Sequence, residues 1–137
     1  MHKRILVIEP SRTIRVLLDI ILGNAGHQVA TFADATAAFA FLWPGPIRRE
    51  PPDIAFVAFP SSAEESTKES YAAIATLMRW YPHLLVIAFL PLNADQKELQ
   101  RLEASGAMYL IRPFTVQNIL VCTALAYRQA QKGNVTL

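Results

Sequence analysis

The stretch Ile54-Ala55-Phe56-Val57-Ala58 lies between Pro51-Pro52-Asp53 and Phe59-Pro60. Proline cannot donate to a strand ladder, so it marks strand ends. A short apolar run bounded in this way reads as a strand buried on both faces, which implies a parallel sheet covered by helices. In an open α/β sheet, ligands and reacting groups gather outside the carboxyl ends of the strands. The chemistry of the chain is therefore expected at Ala58, a residue with no functional group.

The flanking segments repeat one unit. Arg4-Ile5-Leu6-Val7-Ile8 reads as a buried strand that stops at Glu9-Pro10-Ser11. Ser11 is placed to cap a helix with apolar positions Ile14, Leu17, Leu18, Ile21 and Leu22, at steps of three and four. Asn24 to Gly26 stops it, and Gln28 to Phe32 is a second strand. Asp34 is an N-cap for a second helix whose inward stripe is Ala35, Ala38, Phe39 and Leu42. Trp43-Pro44-Gly45-Pro46 ends that helix.

After the central strand, Ser62-Ala63-Glu64-Glu65 matches a capping box. The helix that follows places Tyr71, Ile74, Leu77, Met78 and Tyr81 on one side, while its polar start, Ser66 to Ser70, suits helix or loop. Leu84 to Phe89 is a fourth strand, Asp95 opens a helix carrying Leu99 and Leu102, and Ser105-Gly106 ends it. Ala107 to Ile111 is a fifth strand. Thr115 caps a last helix with Val116, Ile119, Leu120, Thr123, Ala124 and Tyr127 in register.

Strands alternating with helices give an α/β fold: a flavodoxin-like, doubly wound, five-stranded parallel sheet of order 2-1-3-4-5, with right-handed crossovers. Residues 1–130 form one domain and 131–137 a polar tail. No Gly-rich loop follows the first strand, so the dinucleotide fingerprint is absent.

Composition narrows the function classes. With 137 residues, 53% of them hydrophobic, the chain builds one substantial core. No apolar run reaches the ~20 residues of a membrane helix, and Ile5–Ile8 is too short for a signal peptide, so a cytoplasmic protein with no membrane contact is expected. A net charge of +2 is too mild to imply direct nucleic-acid binding, and Arg48-Arg49 is the only tight basic pair after Lys3-Arg4. The lone cysteine, Cys122, reads as a small buried hydrophobe. His2, His27 and His83 fall in termini or turns and read as solvated. No catalytic triad or metal-ligand set gathers at one strand edge, so neither an enzyme nor a cofactor or metal is expected.

Four segments resemble the receiver domain of response regulators in two-component phosphorelay signalling, over roughly residues 3 to 130. Ile5–Ser11 resembles the first strand and its acidic pair, and Pro52–Ala58 resembles the strand that ends in the phosphorylated aspartate. Val86–Leu90 resembles the strand that ends in threonine or serine, and Gly106–Phe114 the fifth strand with its lysine–proline turn. The resemblance implies an aspartyl phosphate formed with Mg²⁺, which requires positioning and charge neutralisation. Carried over by position, Glu9 keeps the first acid, Pro10 replaces the second and Ala58 replaces the nucleophile. Leu90 replaces the hydroxyl residue, Arg112 replaces the lysine and Tyr109 matches the switch aromatic. Asp53 lies at the opposite end of its strand and cannot substitute.

The resemblance thus implies an atypical, pseudo-receiver member that works as a phosphorylation-independent protein-interaction module. Its partner is a signalling protein or an output domain, with a homodimer as a further option. Lys97, Arg101 and Tyr109 mark the face that the family commonly uses for contact. Two alternatives stay open: a receiver part of a longer transcriptional regulator, and a ligand-binding domain whose pocket is lined by Glu9, Arg112, Phe59, Phe89 and Leu90. Glu9 reads either as a surface acid or a pocket residue, Arg112 as solvated or paired, and Tyr109 as switch or rim packing. Arginine is longer than lysine and Ala58 leaves space, so Arg112 is expected to reach Glu9.

Overall fold

The computed structural model describes residues 3–42, 50–60 and 64–125, with residues 64–66 described for their backbone alone. The expectations for His2, the Trp43–Pro46 stop, Arg48-Arg49, the Ser62–Ala63 half of the capping box, Tyr127 and the 131–137 tail lie outside the described residues.

Five strands form one parallel sheet in the order β2-β1-β3-β4-β5. They are β1 (Arg4–Ile8), β2 (Gln28–Phe32), β3 (Ile54–Ala58), β4 (Leu85–Leu90) and β5 (Met108–Ile111). The helices are α1 (Arg12–Asn24), α2 (Ala35–Leu42), α3 (Glu64–Trp80), α4 (Gln96–Ser105) and α5, which spans 116–125 among the described residues. This is the flavodoxin-like order expected from the alternation. β3 occupies the middle, and all five of its residues are buried.

The pleat sorts the core into two layers. Ile5, Val7, Phe56, Phe89 and Leu18 pack with Ile119 and Cys122 on the α1/α5 side. Leu6, Ile8, Val57, Leu77, Leu90 and Leu102 pack on the α2/α3/α4 side. Adjacent strand residues therefore serve opposite layers, as the period of two demands. Burial pushes the Cys122 thiol up to about 11, consistent with a small hydrophobe.

Local signals set the helix starts. The Ser11 hydroxyl accepts from the Ile14 N–H, Asp34 accepts from Ala37, and Asp95 accepts from Glu98. Thr115 and Asn118 cap each other reciprocally, 3.1 and 2.8 Å apart. α4 ends at Gly106, whose φ of 87° suits a residue without a Cβ.

The polar start of α3, left open between helix and loop, is helical from Glu64. Some expectations are corrected. β4 runs one residue later than expected, from Leu85 to Leu90, and β5 starts at Met108. Leu17 and Val116, expected to face the core, are about half exposed, at 50% and 54%. Both lie at the margin of a helical stripe, where a three-four pattern does not separate the centre of a face from its edge. His27 is half buried, and its Nδ1 accepts the Lys3 N–H at 3.2 Å.

Leu22 is fully buried, whereas Leu92 is 77% exposed. Leu22→Ala is expected to cost about 2–5 kcal/mol, from lost burial plus a cavity. Leu92→Ala is expected to stay within about 0.5 kcal/mol. Urea denaturation of the two variants checks the contrast.

Candidate functional site

The site lies at the carboxyl edge of the sheet, where β1, β3 and β4 end and the segment after β5 crosses over. Glu9 follows β1 and donates its own N–H to the Phe32 carbonyl at 2.9 Å, which fixes the backbone. Its side chain is turned inward and is only 2% exposed. A carboxylate in that place needs charge-assisted partners, because desolvation penalises it otherwise.

Arg112 supplies the counter-charge. Its Nη2 donates to Glu9 Oε1 at 2.6 Å, across 103 residues of sequence. The expected pairing is therefore present, and direct. The Ser11 N–H reaches Glu9 Oε2 at 3.3 Å, so both carboxylate oxygens have a donor. The Arg112 N–H binds the Leu90 carbonyl at 2.9 Å, which ties the segment after β5 to the end of β4. The guanidinium carbon lies 5.7 and 5.8 Å from the ring centres of Phe89 and Phe114, and those rings stack 4.5 Å apart. Aromatic faces attract a guanidinium and hold its plane.

Three residues not anticipated from sequence complete the setting. Arg15 donates to the carbonyls of Glu9 and Pro10, at 2.9 and 2.8 Å. A basic residue in the first turn of a helix opposes the macrodipole, so nothing local pointed to it. The Ser70 hydroxyl donates to the Ala58 carbonyl at 3.2 Å and ties α3 to the end of β3. Phe114 closes the aromatic stack over Arg112.

Ala58 borders a small hollow of about 180 Å³ shared with Pro10, Asp34, Pro60, Glu69 and Ser70. Neither Glu9 nor Arg112 lines it. The residues expected to line a ligand pocket, Glu9, Arg112, Phe59, Phe89 and Leu90, do not share one face of the sheet. Phe89 belongs to the α1/α5 layer, while Phe59 and Leu90 are buried in the opposite one. Neighbours in one strand point to opposite faces, and that alone separates Phe89 from Leu90.

The donor set does not fit the divalent cation that the receiver resemblance implies. Pro10 and Ala58 carry no carboxylate, and Glu9 already binds Arg112 and the Ser11 N–H. Among the described residues, no group of three His, Cys, Asp or Glu side chains is arranged to hold a metal.

The residues marked for partner contact divide differently. Lys97 is exposed on α4. The Arg101 guanidinium carbon lies 3.7 Å over the Tyr71 ring, so it joins α4 to α3. Burial, then the nearby Glu98 carboxylate, raises the Tyr71 phenol above its ordinary value, and its hydroxyl has no hydrogen-bond partner among the described residues. The half-buried Tyr109 donates to Glu103 Oε1 at 3.4 Å.

Solved structures match this arrangement over nearly its whole length. The fold is that of a receiver domain. A response regulator receiver domain protein from Methanospirillum hungatei JF-1 is 19% identical, with a TM-score of 0.77, over 97% of this chain and 99% of its own. The Vibrio cholerae chemotaxis protein CheY4 is 18% identical, with a TM-score of 0.73, over 92% of this chain and 99% of its own. NtrX from Brucella abortus, solved with ADP, is 19% identical with a TM-score of 0.79, and the match spans 99% of this chain but 28% of NtrX. No protein-family model matches the chain, and no curated protein matches it in sequence.

Arg112→Met leaves the buried Glu9 carboxylate without its counter-ion, and Glu9→Gln removes the charge instead. A double-mutant cycle on the two, read by denaturant unfolding, is expected to give a coupling of about 1–3 kcal/mol. Additive effects would show that the 2.6 Å contact contributes nothing.

Proposed function

We propose that this receiver fold works as a protein-interaction module whose pocket is closed by an internal ion pair and not switched by phosphate. The observation that carries the reading is the 2.6 Å Arg112–Glu9 contact beside a β3 that ends in Ala58. In the receiver mechanism, an aspartate at the end of that strand takes the phosphoryl group and a metal neutralises the charge. Here the guanidinium occupies the acid that remains, and the strand end offers a methyl group. The lysine position keeps its charge but directs it inward, to Glu9.

The output of such a domain is contact with another protein: a signalling partner, or an output domain on a longer chain. The likeness to NtrX, where the match spans 28% of that chain, supports the second arrangement as well as the first. The reading takes the domain as non-enzymatic and cytoplasmic. No helix among the described residues is long and apolar enough to cross a membrane.

Incubation with acetyl phosphate and Mg²⁺ followed by intact mass spectrometry tests the proposal. The expected result is an unchanged mass. A stoichiometric, hydroxylamine-labile phosphoryl adduct would overturn it. Ala58→Asp on its own is expected to remain unlabelled under the same conditions, because Pro10 still lacks a carboxylate and Leu90 still lacks a hydroxyl. Rapid Mg²⁺-dependent labelling of that variant would mean that the pair opens easily, contrary to the closed pocket.

A further inference from the structure

Between α1 and α5 runs a groove of about 320 Å³. Small-molecule sites hold roughly 300–1,000 Å³. At about 30 Å³ for each water-sized atom, this one accommodates roughly ten non-hydrogen atoms. Ile14, Leu17, Ile21, Phe114 and Val116 supply its walls, and the buried Ile119 lies among them. Leu17 and Val116 have the spacing of core residues yet stand about half exposed, so the empty groove keeps aliphatic surface in water. Among the described residues that border it, Arg112 alone is charged. A guanidinium carries five N–H donors. Here one of them, on Nη2, goes to Glu9 Oε1, and the side chain makes no other hydrogen bond among the described residues. That side chain is 27% exposed, and its guanidinium carbon lies 5.8 Å from the ring centre of Phe114, in the groove wall. Thr115 borders the groove as well, and its Oγ accepts the Asn118 N–H, which leaves the hydroxyl proton to be donated.

We infer that this groove binds a small amphipathic monocarboxylate, its apolar body between α1 and α5 and its carboxylate on Arg112. Apolar walls with one polar anchor are the usual build of a small-molecule site: the walls give affinity and the anchor gives orientation. Removing the half-exposed aliphatic walls from water drives the body in. The anchor is cationic, so it attracts a carboxylate and repels an amine. Unused guanidinium donors offer that carboxylate charge-assisted hydrogen bonds. The ligand shares Arg112 with Glu9 and does not displace it, because a carboxylate 2% exposed is costly to leave unpaired. Glu9 repels a second carboxylate, but Arg15, bound to the Glu9 and Pro10 carbonyls, adds a further positive charge at the same edge. Two guanidinium groups therefore stand against one carboxylate, with room for another. The site rests on Arg112 and the groove, and not on whether the domain accepts phosphate.

Calorimetric titration of the 137-residue chain with octanoate, followed by amide chemical-shift mapping, tests it. The expected result is saturable binding of one octanoate per chain, with the largest shifts at Leu17, Ile21, Phe114 and Val116. Hexanoate is expected to bind about fifteenfold more weakly, at about fourfold for each buried methylene lost. Octylamine is expected to bind about tenfold more weakly or worse, because its head group meets Arg112. A parallel titration with 3-phenylpropanoate shows by the tighter fit whether the natural body is alkyl or aryl. Leu17→Glu is expected to weaken octanoate about tenfold or more, since it sets a like charge in the groove wall. Leu92→Glu makes the same charge change outside the groove and is expected to leave binding unchanged. Both positions are at least half exposed, so both variants are expected to keep the wild-type circular dichroism. Arg112→Met combined with Glu9→Gln leaves neither charge unpaired and is expected to abolish the preference for octanoate over octylamine. Failure of both carboxylates to saturate, equal affinity for octanoate and octylamine, shifts centred elsewhere, or equal losses in the two glutamate variants would each overturn the inference. Phosphoryl labelling would refute the closed pocket and leave this result standing.

Discussion

The central strand imposes the arrangement. β3 is hydrogen-bonded to β1 and β4 on its two sides, and its side chains are buried above and below. A strand with no solvent face places no side chain in water along its length, so any chemistry is confined to its ends. The amino end is occupied by Asp53, whose Oδ2 accepts the Arg4 N–H at 2.8 Å. That bond fixes the register of β3 against β1 and makes Asp53 structural. Only the carboxyl end remains, and there the chain supplies Ala58. The functional question becomes what the neighbouring strand ends do around that alanine.

They neutralise one another. Glu9 contributes a carboxylate at nearly full burial, and Arg112, with its side chain 27% exposed, answers it from the segment after β5. A guanidinium is weakly hydrated, and its rigid fork stays aligned when held over Phe89 and Phe114, so it tolerates this position better than an ammonium. The pair is not a large source of stability, since desolvation of both charges offsets much of their attraction. Its effect is to make one geometry much better than its alternatives, because either charge alone in this place is costly. The Ser11 N–H on Glu9, Arg15 on the Glu9 and Pro10 carbonyls, and Ser70 on the Ala58 carbonyl restrict the same edge further.

Much of this was legible before any coordinates. Prolines and apolar runs marked the strands, their alternation with helices implied a parallel sheet, and a total of five strands suited the 2-1-3-4-5 order. Glu9 and Arg112 were recognisable as neighbours because both follow strands at one sheet edge, and parallel strands share their carboxyl side. What failed was the finer placement. Leu17 and Val116 have the spacing of core residues yet lie at the margins of their stripes. The supposed ligand lining combined Phe89 with Leu90, which alternation should have separated. Arg15 and the stacking of Arg101 on Tyr71 depend on how helices pack against one another, and no local pattern in the sequence reports that.

The Glu9–Arg112 pair and the groove between α1 and α5 meet in one segment. Arg112 pairs with Glu9, Phe114 stacks on Phe89, and both also border the groove between α1 and α5. An equilibrium between two shapes is shifted only by something that binds them differently. In a pocket whose counter-ion is covalently part of the chain, occupancy does not vary with the concentration of a metal or a phosphoryl donor. A ligand seated in the groove does vary, and it touches the segment whose position the ion pair sets. Under the proposed function, contact with a partner protein takes over the role that phosphate has in the receiver mechanism.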